Sequence, residues 1–343
     1  MSGEENSKIS MNHSDNRKEL FVRWYGWSLK YKDVDPAVWL TNYLNKRYEH
    51  NEEQRYWFAW LYGNTYYLPT SWVLMNEFPD FELATYDRIK DWNTRNYQKL
   101  RYQTDTKWSK GHLPEMFKSY KDLIGNKTQK EFFDTFDEFD DLFKHIKEKQ
   151  FKFGRYSSWF YIQHLESTCG MHHINPKTLL LDDHSGSRSH RNGLCMALGK
   201  DDWYDKKLDK KQIYTLEGNG SDILIEMKER FPEYQSEINP FTMETVLCSF
   251  KKIFRKHHGR YLGYYLDRQA EEITRVSKDG WDGIEWNVLW QARAETLDRR
   301  LTSKGGIVKE KYDTFVDTGH LDRMEWMFTD IQKTPSPLEN FMI

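Results

Sequence analysis

The chain has 343 residues and a mass of 41.6 kDa, and its 51 basic and 53 acidic side chains leave a formal net charge of −2. That balance excludes a global basic footprint, so any nucleic-acid surface must be local. No apolar run approaches 18 residues, which excludes a membrane-spanning helix, and 14 Trp, 21 Tyr and 20 Phe argue against a disordered chain despite a mean hydropathy of −0.90.

The polar segment 1–19 reads as a solvated tail without the apolar core of a signal peptide, with order beginning near Phe21. From there to Tyr102, aromatics cluster at helical spacing: Leu40, Tyr43, Leu44 and Arg47; Trp57, Trp60, Leu61 and Asn64; Trp72, Val73 and Met75. Pro36, Pro69 and Pro79 fall at loop or first-turn positions. Phe132, Phe133, Phe136, Phe139 and Phe143 predict one amphipathic helix over 129–149, and 151–165 is again buried and helical. Glycines and many polar residues mark 182–220 as loop-rich. A second helical half follows over 241–301, with Trp286, Leu289, Trp290, Arg293, Ala294, Leu297 and Leu301 as its best stripe. The expected organisation is a tail (1–19), a helical domain (20–301, divisible into 20–180 and 181–301) and a C-terminal extension (302–343). The fold class expected is all-α, with over half the residues helical and no sheet above three strands.

Several chemistries are missing. There is no GxxxxGK[ST], no GxGxxG after a strand, no HExxH and no GxSxG. Cys169, Cys195 and Cys248 are sparse and odd in number, which suits a reducing cytoplasm and not a disulfide framework. Adjacent His172 and His173 point apart, so no metal and no cofactor are expected.

Two stretches carry phosphate-competent chemistry. Residues 182–195 gather His184, Arg188, His190 and Arg191 with three serines and an asparagine, a set able to clamp an anion and move a proton near neutral pH. Phe250–Leu262 holds Lys251, Lys252, Arg255, Lys256 and Arg260 and no acid, interleaved with Phe and Tyr261. It runs into a Gly259–Gly263 turn and a helix carrying Asp267 and Arg268, where backbone N–H groups and a helix dipole can meet a phosphate. A third cluster, with Tyr62 and Asn64, can line a base pocket, although packing is the commoner reason for such a cluster.

The stretches Cys248-Ser-Phe-Lys-Lys252, Gly259-Arg-Tyr-Leu-Gly-Tyr-Tyr-Leu-Asp-Arg268, His184-Ser-Gly-Ser-Arg-Ser-His-Arg-Asn-Gly193 and Arg55-Tyr-Trp-Phe-Ala-Trp-Leu-Tyr-Gly63 resemble the bacteriophage alpha-glutamyl/putrescinyl thymine pyrophosphorylases, also called amino acid:DNA transferases. The likeness covers roughly residues 20–300. It implies a helical fold similar to the helix-hairpin-helix DNA glycosylases, with loop-rich insertions, acting in an infected bacterial cytoplasm on duplex DNA with modified pyrimidines. There an amine or amino acid displaces pyrophosphate from an activated 5-hydroxymethyl group. The chain departs from ordinary glycosylases in lacking a Leu-Pro-Gly-x-Gly hairpin. On this reading Asp267, His190 and His184 are candidates for the base, and Arg188, Arg191, Lys252 and Arg268 for pyrophosphate. Lys251, Arg255, Lys256, Arg260 and Tyr261 would contact DNA, and Tyr62 and Asn64 the base. Lys251, Lys252, Arg255 and Arg260 should then share one positive surface beside the 184–193 stretch. A non-catalytic DNA-binding subunit and a base-excision glycosylase are the alternatives.

Overall fold

Several helix starts in this protein are set by short polar residues. Asn51, Thr128, Asp209 and Asn239 each accept the backbone N–H three residues on, in reciprocal capping boxes. The computed structural model describes residues 14–103, 106–183, 188–252 and 263–297. Of these, 68% are helical and none is in a strand, so the fold is all-α. In chain order the helices are α1 (Ser14–Lys30), α2 (Pro36–Arg47), α3 (Glu52–Thr65), α4 (Leu68–Glu77), α5 (Tyr86–Asn96), α6 (Leu113–Ile124), α7 (Gln129–Phe133), α8 (Phe139–Lys149), α9 (Arg155–Cys169), α10 (Ser189–Ala197), α11 (Lys210–Arg230), α12 (Pro240–Phe250), α13 (Tyr264–Val276) and α14 (Asn287–Thr296). They form two compact units that interleave along the chain. Among the described residues, the first takes 14–35, 177–183, 188–252 and 263–267, and the second takes 36–103, 106–176 and 268–297.

In the first unit α1 packs against α10, α11 and α12. Phe21 and Trp24 meet Phe250 edge-on at 5.2 and 6.0 Å, and the Trp24 indole N–H donates to Ser249 Oγ at 3.3 Å. The helix begins at Ser14, ahead of the aromatic pattern. Its polar first turns are held by partners distant in sequence, Arg17 by Asp201 at 2.5 Å and Glu19 by Arg230 at 2.7 Å.

In the second unit α3 lies against α9. Trp57 stacks on Trp60 (5.0 Å, 10°), Trp60 stacks on Tyr120 (4.9 Å, 16°), and Tyr120 shares a hydrogen bond of 3.0 Å with Tyr161. The two helices approach closely because Gly63 has no side chain: a Cβ there would sit 2.7 Å from Tyr161 Cβ.

Three segments depart from the sequence pattern. The expected single helix over 129–149 is two, α7 and α8, interrupted at 134–138, and both present phenylalanines to the core. The glycine-bearing 182–220 stretch contains helix α10 and the start of the 21-residue α11. Gly220 packs there against Leu179, Leu194 and Met243, so this glycine serves contact and not a turn. Near the C-terminal end, α14 buries Val288, Leu289, Ala292 and Arg293, a face shifted from the predicted stripe.

His164 of α9 is fully buried, bonded through Nε2 to Thr41 Oγ1 at 3.1 Å and stacked on Tyr62. Burial pushes its pKa down to about 3, below the ordinary value near 6.5. A depressed folded-state pKa means that stability is complete above the unfolded value and is lost as pH falls toward the folded one. Between pH 6.5 and 4.5 the protein should therefore lose about 2 to 3 kcal/mol through this group, at ~1.4 kcal/mol per unit. His164→Gln should flatten the fall in melting temperature across that range; an equal fall in both proteins would show that His164 plays no part.

Candidate active site

The described residues foreseen at 188–252 all lie in the first unit. Arg188 holds the N-cap position of α10 and is exposed. Helices α10 and α12 pack in direct contact, because a Cβ on Gly193 would lie 2.3 Å from the Leu247 carbonyl oxygen. About one turn back on each helix stand His190 and Glu244. His190 Nδ1 lies 3.5 Å from Glu244 Oε1, with the residues 2% and 1% exposed. The pair is thus shielded from water, where a carboxylate can orient an imidazole and stabilise its protonated form. Arg191, also buried, donates through Nη2 to the Lys206 carbonyl at 3.4 Å, and Asn192 Oδ1 accepts the Asp205 N–H at 3.1 Å. Burial, and then the charge of Arg188, lower the Arg191 pKa. Lys251 and Lys252 follow the C-terminal end of α12 and are half-buried, about two turns beyond Glu244.

The start of α13 differs from what its glycines suggest. Asp33 accepts the Gly263 N–H at 2.7 Å, the Tyr265 N–H at 3.0 Å and the Leu266 N–H at 3.1 Å. The positive end of this helix is therefore already met by a carboxylate of the protein and is not open to a phosphate. Asp267, in the first turn, is 0% exposed. Arg268 makes an ion pair with Glu272 at 2.8 Å, so a surface Asp–Arg pair is no account of position 267.

Tyr62 and Asn64 belong to the second unit, inside its core. Tyr62 stacks on His164 with ring centroids 4.2 Å apart, and Asn64 Nδ2 donates to Met116 S at 3.4 Å. His184, Arg255, Lys256, Arg260 and Tyr261 lie outside the described residues. His172 and His173 are exposed and bonded separately, to Glu166 and to the Phe136 carbonyl. Among the described residues no three His, Cys, Asp or Glu side chains gather as a metal site.

Residues 19–258 match the family described as amino acid:DNA transferase. The chain belongs to that family. It is also similar to the serinyltransferase of Salmonella phage ViI, with 29% identity over 91% of this chain and 83% of the relative. No solved structure matches it. The protein is accordingly a transferase acting on DNA, and among its described residues no helix is long and apolar enough to cross a membrane. The family match spans α10 and α12, and thus His190, Arg191 and Glu244 of the transferase, and it ends before Asp267 and Arg268.

Two residues of the transferase in this region escape sequence reasoning. Glu244 is the lone acid in the apolar run Pro240–Phe250, a signal that was available. Asp33 has no local signature, since the backbone it caps lies 230 residues on.

Proposed function

We propose that the transferase acts on duplex DNA carrying a thymine-like base whose 5-hydroxymethyl group bears pyrophosphate, and that an amine, most simply the α-amino group of an amino acid, displaces that pyrophosphate. The nitrogen lone pair forms the new bond to the 5-methylene carbon, the carbon–oxygen bond breaks, pyrophosphate leaves with the bonding pair, and the ammonium proton passes to a base. The observation that carries this reading is the buried His190–Glu244 pair with two arginines beside it at the start of α10. A neutral imidazole accepts the proton, Glu244 orients the ring, and cationic Arg188 and Arg191 favour departure of an anion. Lys252 is a further candidate for that anion. The target base has to leave the helical stack for its methylene carbon to be reached. The DNA is that of a bacteriophage inside its host's cytoplasm. Asp267 and His184 are the remaining candidates for the base.

The test is direct. Duplex DNA containing the pyrophosphorylated base is incubated with the protein and isotopically labelled amino acids, and the digested nucleosides are read by mass spectrometry. Expected is one nucleoside carrying an amino acid on its 5-methylene, with pyrophosphate released in equal amount. Release of free base would indicate a glycosylase, and binding without any product would indicate a non-catalytic subunit; either sinks the reading.

A further inference from the structure

Glu217 of α11 grips a strained turn in the first unit. Its Oε2 accepts the Leu179 N–H at 3.0 Å, and its Oε1 accepts the Leu181 N–H at 2.6 Å. Between these two amides stands Leu180, with φ at 49°. That is the left-handed region, where the Cβ of a leucine crowds the following carbonyl oxygen and only glycine fits at no steric cost. A residue stays there only where its surroundings over-determine it. Here they do: the Leu180 N–H meets Thr178 Oγ1 at 3.4 Å, and the Leu180 carbonyl accepts the Asp183 N–H at 3.2 Å. The turn also sinks the side chains of Leu179 and Leu181 into the core, leaving 2% and 1% of these residues exposed.

Leu179 leads from this turn to the helices of the candidate site. A Cβ on Gly220, about one turn after Glu217, would lie 3.4 Å from Leu179 Cδ1, 3.6 Å from Leu194 Cδ2 and 3.9 Å from Met243 Cε. Over the bare backbone of α11, Leu179 therefore converges with one residue of α10 and one of α12. Leu194 lies about one turn beyond His190, and Met243 is the neighbour of Glu244. The relay is short. Glu217 holds the 179–181 backbone, Leu179 meets Leu194 and Met243, and these sit on the two helices that bring His190 to Glu244. A bond that merely tied a loop to a helix would work with an unstrained turn.

We infer that Glu217 is a positioning residue for amino acid transfer: by keeping Leu180 left-handed it seats Leu179 against α10 and α12 and so fixes His190 beside Glu244. The inference rests on the role proposed above for that pair, so its experiment follows the His190 ring as well as the reaction.

Full-length Glu217→Gln and Glu217→Gln/Leu180→Gly are compared with the parent. Transfer to pyrophosphorylated duplex gives kcat and KM, and NMR of histidine-labelled protein reports the His190 imidazole. The amide in Glu217→Gln offers one acceptor oxygen to two N–H groups, so the turn relaxes toward an unstrained conformation. A misplacement of about 1 Å can cost about a hundredfold in rate, so kcat should fall about tenfold or more with KM for DNA unchanged. The His190 signals should shift, because they depend on the carboxylate beside the ring. Adding Leu180→Gly removes the strain that the carboxylate opposes. The double variant should return to within about threefold of the parental kcat and regain the parental His190 signals. A lower melting temperature alone, with kcat and His190 signals unmoved in Glu217→Gln, overturns the inference. So does a loss that Leu180→Gly leaves unrepaired, since Glu217 would then act by a route other than the strained turn. If Glu217→Gln does not fold, Glu217→Asp takes its place, its arm too short to reach both amides; full activity and unshifted signals in that variant overturn the inference. Should no protein transfer an amino acid, the parent included, the proposed chemistry fails, and the His190 signals still decide for or against the positioning role.

Discussion

His190→Asn is expected to lower amino acid transfer by about a hundredfold or more while duplex binding persists. An amide can still hydrogen-bond in the same place, but it cannot take up a proton at neutral pH. The attacking amine would then lose the imidazole that takes its proton. Glu244→Gln is the companion variant: it keeps the imidazole and loses the charge that orients it, so its rate should fall less. Its pH profile carries the sign of the interaction. A carboxylate 3.5 Å away favours the protonated ring, so removing that charge lets the ring lose its proton at lower pH. The acid limb of kcat/KM should therefore move to lower pH in Glu244→Gln, and a limb that stays put would sink the orienting role. Asp267→Asn separates the candidates for the base. Retained transfer leaves His190 as the base; a hundredfold loss there, with His190→Asn fully active, would move the proton acceptor to α13.

How far the site was legible follows from what kind of partner each residue has. The all-α class rests on 3.6-residue spacing, which is local, and it holds in helices such as α8, where Phe139, Leu142, Phe143 and Ile146 are buried on one face. The break between α7 and α8 was hidden because phenylalanines on both sides keep the same period across it. Gly193, Gly218 and Gly220 suggested loops, yet all three lie within helices, and for two of them the missing side chain is used by a neighbouring element. At the site, the composition of 188–191 was readable, whereas the pairing of His190 with Glu244 depends on two helices crossing at a glycine. Asp33 illustrates the far limit. Its three bonds to the start of α13 join segments over 200 residues apart, and no window of sequence contains both.

The same crossing supplies the largest expected effect on stability. Gly193→Ala places a methyl group 2.3 Å from the Leu247 carbonyl oxygen, 2.7 Å from its carbonyl carbon and 2.9 Å from its Cβ. Ordinary contact needs about 3.5 Å, so α10 and α12 must separate by about 1 Å. The obstructing atoms are mostly backbone inside a helix and cannot swing aside as a side chain would. Overpacking of this kind costs about 1–3 kcal/mol, and a backbone clash belongs at the upper end. The separation also draws His190 away from Glu244, so transfer should fall along with the melting temperature. Gly218→Ala is the matching control. It lies on the exposed face of α11 with nothing within 4 Å of its new methyl group, so alanine's better helix propensity should stabilise by about 0.5–1 kcal/mol. Opposite shifts in melting temperature from the same chemical change would locate the cost in the α10–α12 contact. A Gly193→Ala protein that melts with the parent would mean that the two helices part without penalty, and the close crossing would then have no part in holding the His190–Glu244 pair.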